Sequence, residues 1–143
     1  AWIDSLENTP ANAILRKGIH ITASSPITAY YEVNRTNNPD IFSLKGRNAL
    51  GTHFMIPGQN IMPNAHGRNA FDIVATEDQT TITIIPTDTL EGGRMPGVPF
   101  TIVLNKGESF SCRSHGTQTY DKLIGSQVTS DKPIAITLID DSV

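Results

Sequence analysis

The sequence predicts an all-β fold, an antiparallel β-sandwich or barrel-like sandwich of about nine short strands. β-branched residues dominate, since Ile, Val and Thr together number 39, whereas the strong helix formers Leu, Ala, Glu and Lys number 28. Apolar and polar residues alternate in several short runs, and 11 Gly and 9 Pro divide the chain between them. This combination is typical of sandwiches and barrels.

The first part of the chain contains three predicted strands, at residues 18–22, 27–33 and 52–56. In the first of them Ile19 and Ile21 flank His20, which is the alternation expected of a half-buried strand. Pro26, with its fixed φ, and the small polar residues before it predict a turn to the second strand.

Two hairpins are predicted in the middle of the chain. Residues 71–76 alternate, the polar residues 77–79 break the run, and residues 80–85 resume it until Pro86. Residues 100–104 and 108–112 form the second pair, and Gly107 between them can adopt the positive φ of a tight turn.

The last two predicted strands, 125–129 and 134–139, belong to an internal repeat. Residues 18–29 align without a gap to residues 125–136 at an offset of 107, and Gly, Thr, Pro and Ile coincide. The repeated unit is predicted to be a strand, a proline turn and a second strand, used twice in the scaffold.

Three long polar loops interrupt this scaffold, at residues 34–51, 57–69 and 88–99, and loops of such length are often functional. A binding face is predicted on residues 34–48, 59–69 and 90–96. On this face, arginines would donate hydrogen bonds to a sugar or protein ligand, and apolar side chains would make apolar contacts with it. Tyr30, Tyr31 and Tyr120, with Trp2, are candidate groups for stacking on a sugar. The predicted ligand-binding residues are Phe42, Arg47, Met62, His66, Arg68 and Arg94.

Charge and hydropathy exclude several kinds of partner. The net charge of −3 and a pI of about 5.7 do not suit a nucleic-acid binder, and no apolar run is long enough for a membrane helix. Residues 1–143 are expected to form a single domain. Because the sequence begins without a methionine and its last residues run straight out of a predicted strand, it is expected to be a fragment of a larger surface protein with neighbouring domains.

Short blocks along the chain resemble a known family. The blocks are residues 17–22, 25–27, 49–52, 54, 56–57, 73–78, 80–84, 104–108 and 128–135. They resemble, in the same order, the N-terminal domain of the IgGFc-binding protein family, and the resemblance spans residues 17–138. It implies a non-catalytic, extracellular or cell-surface binding or adhesion module of a bacterial surface or secreted protein, with a protein or glycan ligand such as mucin or immunoglobulin.

The sequence contains little that points to catalysis. Cys112 is the only cysteine, and no hydrolase, metalloprotease or nucleotide-binding motif is present, so no enzymatic activity, metal or other cofactor is expected. Three alternatives stay open. These are a structural spacer domain, a hydrolase that uses Cys112 and His115, and a calcium site assembled from separate loops.

Overall fold

A computed structural model describes residues 7–33, 39–58 and 68–140. Within these ranges the chain forms nine β-strands, one 3₁₀ turn at Gly46–Ala49 and no α-helix, so the all-β prediction is confirmed. The strands are β1 (Ile14–Leu15), β2 (Tyr30–Val33), β3 (Asp40–Ser43), β4 (Gly51–Met55), β5 (Asn69–Ala75), β6 (Thr80–Ile85), β7 (Phe100–Leu104), β8 (Ser109–Arg113) and β9 (Gln127–Asp140).

Seven of these strands form one antiparallel, nearly closed, barrel-like sheet, and β2 and β3 form a separate hairpin. The long strand β9 is central: it pairs with β4 and β6 through its first residues and with β5 through its last seven. Ala75 of β5 lies opposite Ile134, and Ile82 of β6 lies opposite Ser130. β5 and β6 therefore follow one another along β9, and the predicted hairpin between them is wrong.

The second predicted hairpin is wrong in the same way, because β7 pairs with β6 and β8 pairs with β5. The breaks between β5 and β6, between β7 and β8, and in the pairing along β9 lie next to one another. The N–H of Thr81 donates to Asp131 Oδ1 (2.8 Å), and the N–H of Gly107 donates to the carbonyl of Ala75 (3.0 Å). We call this region, residues 76–79, 105–107 and 131–133, the corner.

At the corner the sheet folds over, so that its two halves face each other. β1, β8, β5 and the end of β9 form one half, and β7, β6, the start of β9 and β4 form the other. At the opposite end the N–H of Leu123 donates to Asn69 at the start of β5, and the hydroxyl of Ser126 accepts from Thr87 just beyond β6. We call this end, made of residues 56–58, 68–69, 86–99 and 114–126, the loop end.

The core lies between the two halves. Phe71, Ile73 and Ala75 of β5 are at most 1% exposed, whereas Asp72 and Val74 between them are only partly buried, so the predicted alternation is confirmed. The first four residues of β8 are all buried. β1 pairs along the edge of β8, and Asn8, in the segment before β1, accepts a hydrogen bond from the hydroxyl of Ser109 on β8 (2.6 Å). The other large buried apolar side chains are Ile56, Ile82, Ile84, Leu90, Ile102, Leu104, Phe110, Leu123, Val128 and Ile134.

The predicted repeat does not correspond to a repeated structural unit. Residues 18–22 are not a strand, and in the second copy residues 127–136 lie in the uninterrupted strand β9. Pro133 is tolerated inside β9 because both ladders are irregular there. The register with β4 shifts between Gly51 and His53, and β5 gives way to β6 on the other edge. The sequence also left β1 unpredicted and placed β3 in a loop.

Candidate functional site

Three connecting segments meet at the loop end, and backbone contacts with the strands fix them there. Asn69 links two of them, since its N–H donates to the hydroxyl of Ser114 (3.2 Å) and its side-chain oxygen accepts from the N–H of Leu123 (2.8 Å). The N–H of His115 donates to the carbonyl of Thr89 (2.8 Å). The segments therefore sit on a rigid scaffold, which is the usual arrangement for binding loops.

An ion pair between Arg68 and Glu91 joins two of the three loops that the sequence singled out. The Arg68 side chain is 39% exposed and that of Glu91 is 27% exposed, so the pair is accessible to solvent. Pairs of this exposure contribute little to stability, about 0–1 kcal/mol. Its effect is to hold the loops around residues 68 and 91 next to each other.

Arg94 lies on the other side of the same loop, with its guanidinium carbon 3.8 Å from the centre of the Phe100 ring. Its carbonyl accepts from the N–H of Leu90 (3.0 Å), and Leu90 is fully buried in the core. Phe100 in turn lies 6.2 Å from Phe110, measured between ring centres. Residues 90–94 are thus anchored by one core side chain and one cation–π contact.

The loop end also carries exposed apolar side chains. Met95 is 59% exposed, Val98 is 56% exposed and Tyr120 is 78% exposed. Tyr120 belongs to the segment between β8 and β9, which lay outside the loops predicted to bind. Sequence reasoning considered Tyr120 only as a stacking group, and no local pattern indicates that its segment packs beside residues 86–99.

The other predicted site residues lie elsewhere. The ring of Phe42 in β3 stacks on Tyr31 in β2, with 5.2 Å between the ring centres. Arg47 is exposed in the 3₁₀ turn before β4, which starts opposite Ile134 near the corner and runs toward the loop end. The structure therefore groups Arg68 with Arg94 and separates them from Phe42 and Arg47. Met62 and His66 lie outside the described residues.

A depression of about 680 Å³ at the corner was not foreseen from the sequence. Asp78, Asn105 and Glu108 line it, but their side-chain oxygens accept hydrogen bonds from N–H groups of the neighbouring turns. The Nζ of Lys132 also donates to the carbonyls of Asp78 and Gln79. These polar groups hold the turns together, so we assign them a structural role.

The chain matches the profile of the IgGFc binding protein family over residues 42–139, which is more than half of its length. The chain belongs to the IgGFc-binding family. The matched range contains β4–β8, all but the last residue of β9, the whole loop end and all six predicted site residues. No curated protein and no solved structure shows significant similarity to the chain.

The IgGFc-binding family is a family of binding modules and not a known catalytic one. In agreement, Cys112 is fully buried opposite Phe71, and burial raises the pKa of its thiol, although the charge of Arg94 lowers it. His115, three residues later, is exposed. Of the residues that the structure describes, no three His, Cys, Asp or Glu form a group that could hold a metal ion. No helix in the same ranges is long and apolar enough to cross a membrane.

Proposed function

We propose that this IgGFc-binding domain is a module of a secreted or cell-surface protein and recognises a protein ligand through the loop end. The observation that carries the proposal is the Arg68–Glu91 ion pair, which joins two long loops beside exposed apolar side chains. Family members are typically secreted or extracellular, which supports the location. The bacterial source and IgG Fc as the ligand are further predictions from the resemblance.

The chemistry of the loop end suits a protein surface. Met95, Val98 and Tyr120 offer apolar area, and Arg68, Glu91 and the backbone around them offer polar groups. Tyr, Met and Arg are enriched in protein–protein interfaces, where apolar contacts lie inside a polar rim. A glycoconjugate could also stack on Tyr120, so the binding test includes glycans.

The anchoring of the loop favours binding because little conformational freedom is lost when a ligand docks. Leu90 is held in the core, and Glu91 donates its N–H to the carbonyl of Arg113 (2.9 Å). The exposed side chains that follow are thus presented from a fixed backbone.

The test is direct binding of the immobilised chain to IgG Fc, mucin and a glycan panel at physiological salt, with calcium and with chelator. We expect saturable binding that Tyr120→Ala and Met95→Ser each weaken about tenfold, a typical loss for an interface residue. Tyr30→Ala is the matched control, because Tyr30 is 63% exposed but lies on β2, in the separate two-stranded hairpin and outside the residues that make up the loop end.

Two outcomes would contradict the proposal. Binding that is lost in Tyr30→Ala and kept in Tyr120→Ala would move the site to the β2–β3 hairpin. An absence of binding to every ligand in the panel would instead favour the structural spacer function.

A further inference from the structure

The edge of β8 that does not pair with β5 is covered by residues 7–18, which we call the strap. Asn8 anchors the first part of the strap. Its side-chain nitrogen donates to Asp72 Oδ2 (2.5 Å), and its side-chain oxygen accepts from the hydroxyl of Ser109 (2.6 Å). β1 lies within the strap and pairs with β8. The whole strap precedes the range of the family match, residues 42–139.

The strap and the turn at residues 90–94 lie one after the other on this edge of β8. The N–H of Asn12 donates to the carbonyl of Ser111 (3.0 Å), and the N–H of Glu91 donates to the carbonyl of Arg113 (2.9 Å). Because carbonyl groups two residues apart in a strand point to the same side, both hydrogen bonds belong to one edge. The strap therefore continues the row of backbone hydrogen bonds that begins at the loop end.

Asn12 and Gly92 are in contact where the strap meets this turn. A Cβ atom on Gly92 would lie 3.0 Å from Nδ2 of Asn12 and 3.5 Å from its Cβ and Cγ, so the Asn12 side chain packs directly on the backbone of Gly92. The next residue, Gly93, has nearly the same φ (+83° against +84°), but a Cβ atom there would meet nothing within 4 Å. The contact with the strap is thus specific to Gly92.

Stability of the strap alone does not explain the asparagine at position 12. Its φ of +58° favours Asn or Gly over most other residues. Glycine would adopt this φ without burying an amide, whereas both polar atoms of the Asn12 amide are buried and have no hydrogen-bond partner in the described part of the chain. A buried amide without partners lowers stability, and proteins keep such costs mainly at functional positions.

We propose that Asn12 is a positioning residue of the loop end, which holds the turn at residues 90–94 in the arrangement in which Glu91 pairs with Arg68. This inference rests on the proposed function, because it gives the strap a part in presenting the binding loops. A turn that is fixed before a ligand docks loses little conformational freedom on binding. The strap therefore raises ligand affinity without touching the ligand.

The first experiment compares the full chain with its Asn12→Gly variant by hydrogen exchange followed by mass spectrometry. Asn12→Gly tolerates the positive φ and removes the side chain that contacts Gly92. We expect the amides of residues 90–94 to exchange about tenfold faster relative to those of β5 and β9. Gln79→Gly is the matched control and should leave this ratio unchanged, because Gln79 also has a side-chain amide and a positive φ (+53°) but lies at the corner.

Two glycine substitutions test the contact from the side of the turn. Gly92→Ala and Gly93→Ala introduce the same backbone strain, but only the new Cβ of Gly92→Ala meets Asn12. Gly92→Ala should therefore accelerate exchange at residues 90–94 more than Gly93→Ala does. In the Asn12→Gly background the two substitutions should have equal effects. If Asn12→Gly fails to fold, the comparison of the two alanine variants decides the question.

Ligand binding is measured separately, with whichever of IgG Fc, mucin and the glycans the wild type binds. Asn12→Gly should weaken this binding about three- to tenfold, since the loosened turn must be ordered when the ligand docks, and Gln79→Gly should not. If the wild type binds none of these ligands, the proposed function fails, but the exchange measurements still test the positioning of the turn.

Four outcomes would overturn the proposal. Exchange at residues 90–94 that is unchanged in Asn12→Gly would show that the turn holds its place without the strap. Exchange that rises by one factor throughout the chain would show that Asn12 only stabilises the fold. The other two are equal effects of Gly92→Ala and Gly93→Ala in the wild-type background, and an unchanged affinity of Asn12→Gly for a ligand that the wild type binds.

Discussion

Cys112 shows how burial determines the chemistry of a single side chain. It is fully buried within β8, and loss of hydration raises the pKa of its thiol well above the usual range. The positive charge of Arg94 lowers this pKa, but not enough to offset burial. The reactive thiolate is therefore absent from the folded protein at neutral pH.

We predict that Cys112 does not react with a thiol reagent such as Ellman's reagent in the folded protein at pH 8. In denaturant one thiol per chain should react fully, since Cys112 is the only cysteine. The measurement compares the two stoichiometries. Rapid reaction of the folded chain would show that the thiol is accessible and would restore the hydrolase alternative.

Asp72 is a second partly buried ionisable group, on the outer face of β5. Burial raises the pKa of its carboxyl group, while Ser111, Asn8 and the charge of Arg113 lower it by less. Asn8 donates to Asp72 Oδ2 (2.5 Å), whereas the side-chain amide of Asn12 is buried without a hydrogen-bond partner among the described residues.

The raised pKa of Asp72 predicts the sign of a pH effect. Between the carboxyl pKa of the unfolded chain and the higher pKa of the folded one, the folded protein binds more protons. The contribution of Asp72 to stability therefore falls as pH rises through this window. Asp72→Asn should remove this slope and raise the melting temperature at pH 7 relative to the wild type. A lower melting temperature at pH 7 in Asp72→Asn would contradict this account.

At the scale of elements, the corner is held by side chains that bond to turn backbones. Asp131 Oδ1 accepts from the N–H of Thr81 (2.8 Å), and the hydroxyl of Thr76 donates to the carbonyl of Pro133 (2.5 Å). These bonds lie at residues 131–133 of β9, between the part that pairs with β5 and the part that pairs with β6.

We predict that Asp131→Ala lowers the free energy of unfolding by about 1–2 kcal/mol, because the N–H of Thr81 loses its acceptor. Glu77→Ala is the control, since Glu77 has the same charge and is exposed in the same corner. Urea titrations of both variants measure the difference. Equal effects of the two substitutions would mean that charge at the corner, and not this hydrogen bond, is what matters.

The strands were predictable from the sequence where they form the core, but their partners were not. Apolar residues alternate with polar ones at Phe71, Ile73, Ile82 and Ile84 because one side of each strand is buried. This alternation can be recognised from neighbouring residues in the sequence alone. Whether β6 turns back beside β5 or continues along β9 depends on residues 42–48 positions away in the sequence. Residues 18–22 show the converse, since Ile19 and Ile21 alternate but both stay half exposed without a neighbouring strand.

The candidate site was predictable only in part for the same reason. The polar composition of the two loops that contain Arg68 and Arg94 predicted that these loops form a binding face. The partner of Arg68 is Glu91 in a different loop. Tyr120 belongs to a third segment, which the hydrogen bond from the N–H of Leu123 holds against Asn69. Such tertiary contacts have no signature in the local sequence.

At the scale of the whole molecule, β9 connects both halves of the barrel, so the halves should unfold together. The β2–β3 hairpin contacts the barrel far less. We predict that amides of β5 and β9 exchange with solvent only through global unfolding, whereas those of β2 and β3 exchange much faster in dilute protein. Hydrogen exchange followed by mass spectrometry measures both. Equal protection of the hairpin and β9 at low concentration would contradict this view.

The position of β9 in the chain also has a consequence for synthesis. β9 is the shared neighbour of β4, β5 and β6, and it follows all of them in sequence. As the chain leaves the ribosome, these earlier strands emerge with apolar faces and no central strand to join them. The barrel can close only after residue 140 has emerged, so the apolar faces of the nascent domain stay open to aggregation for longer than those of a domain built from successive hairpins.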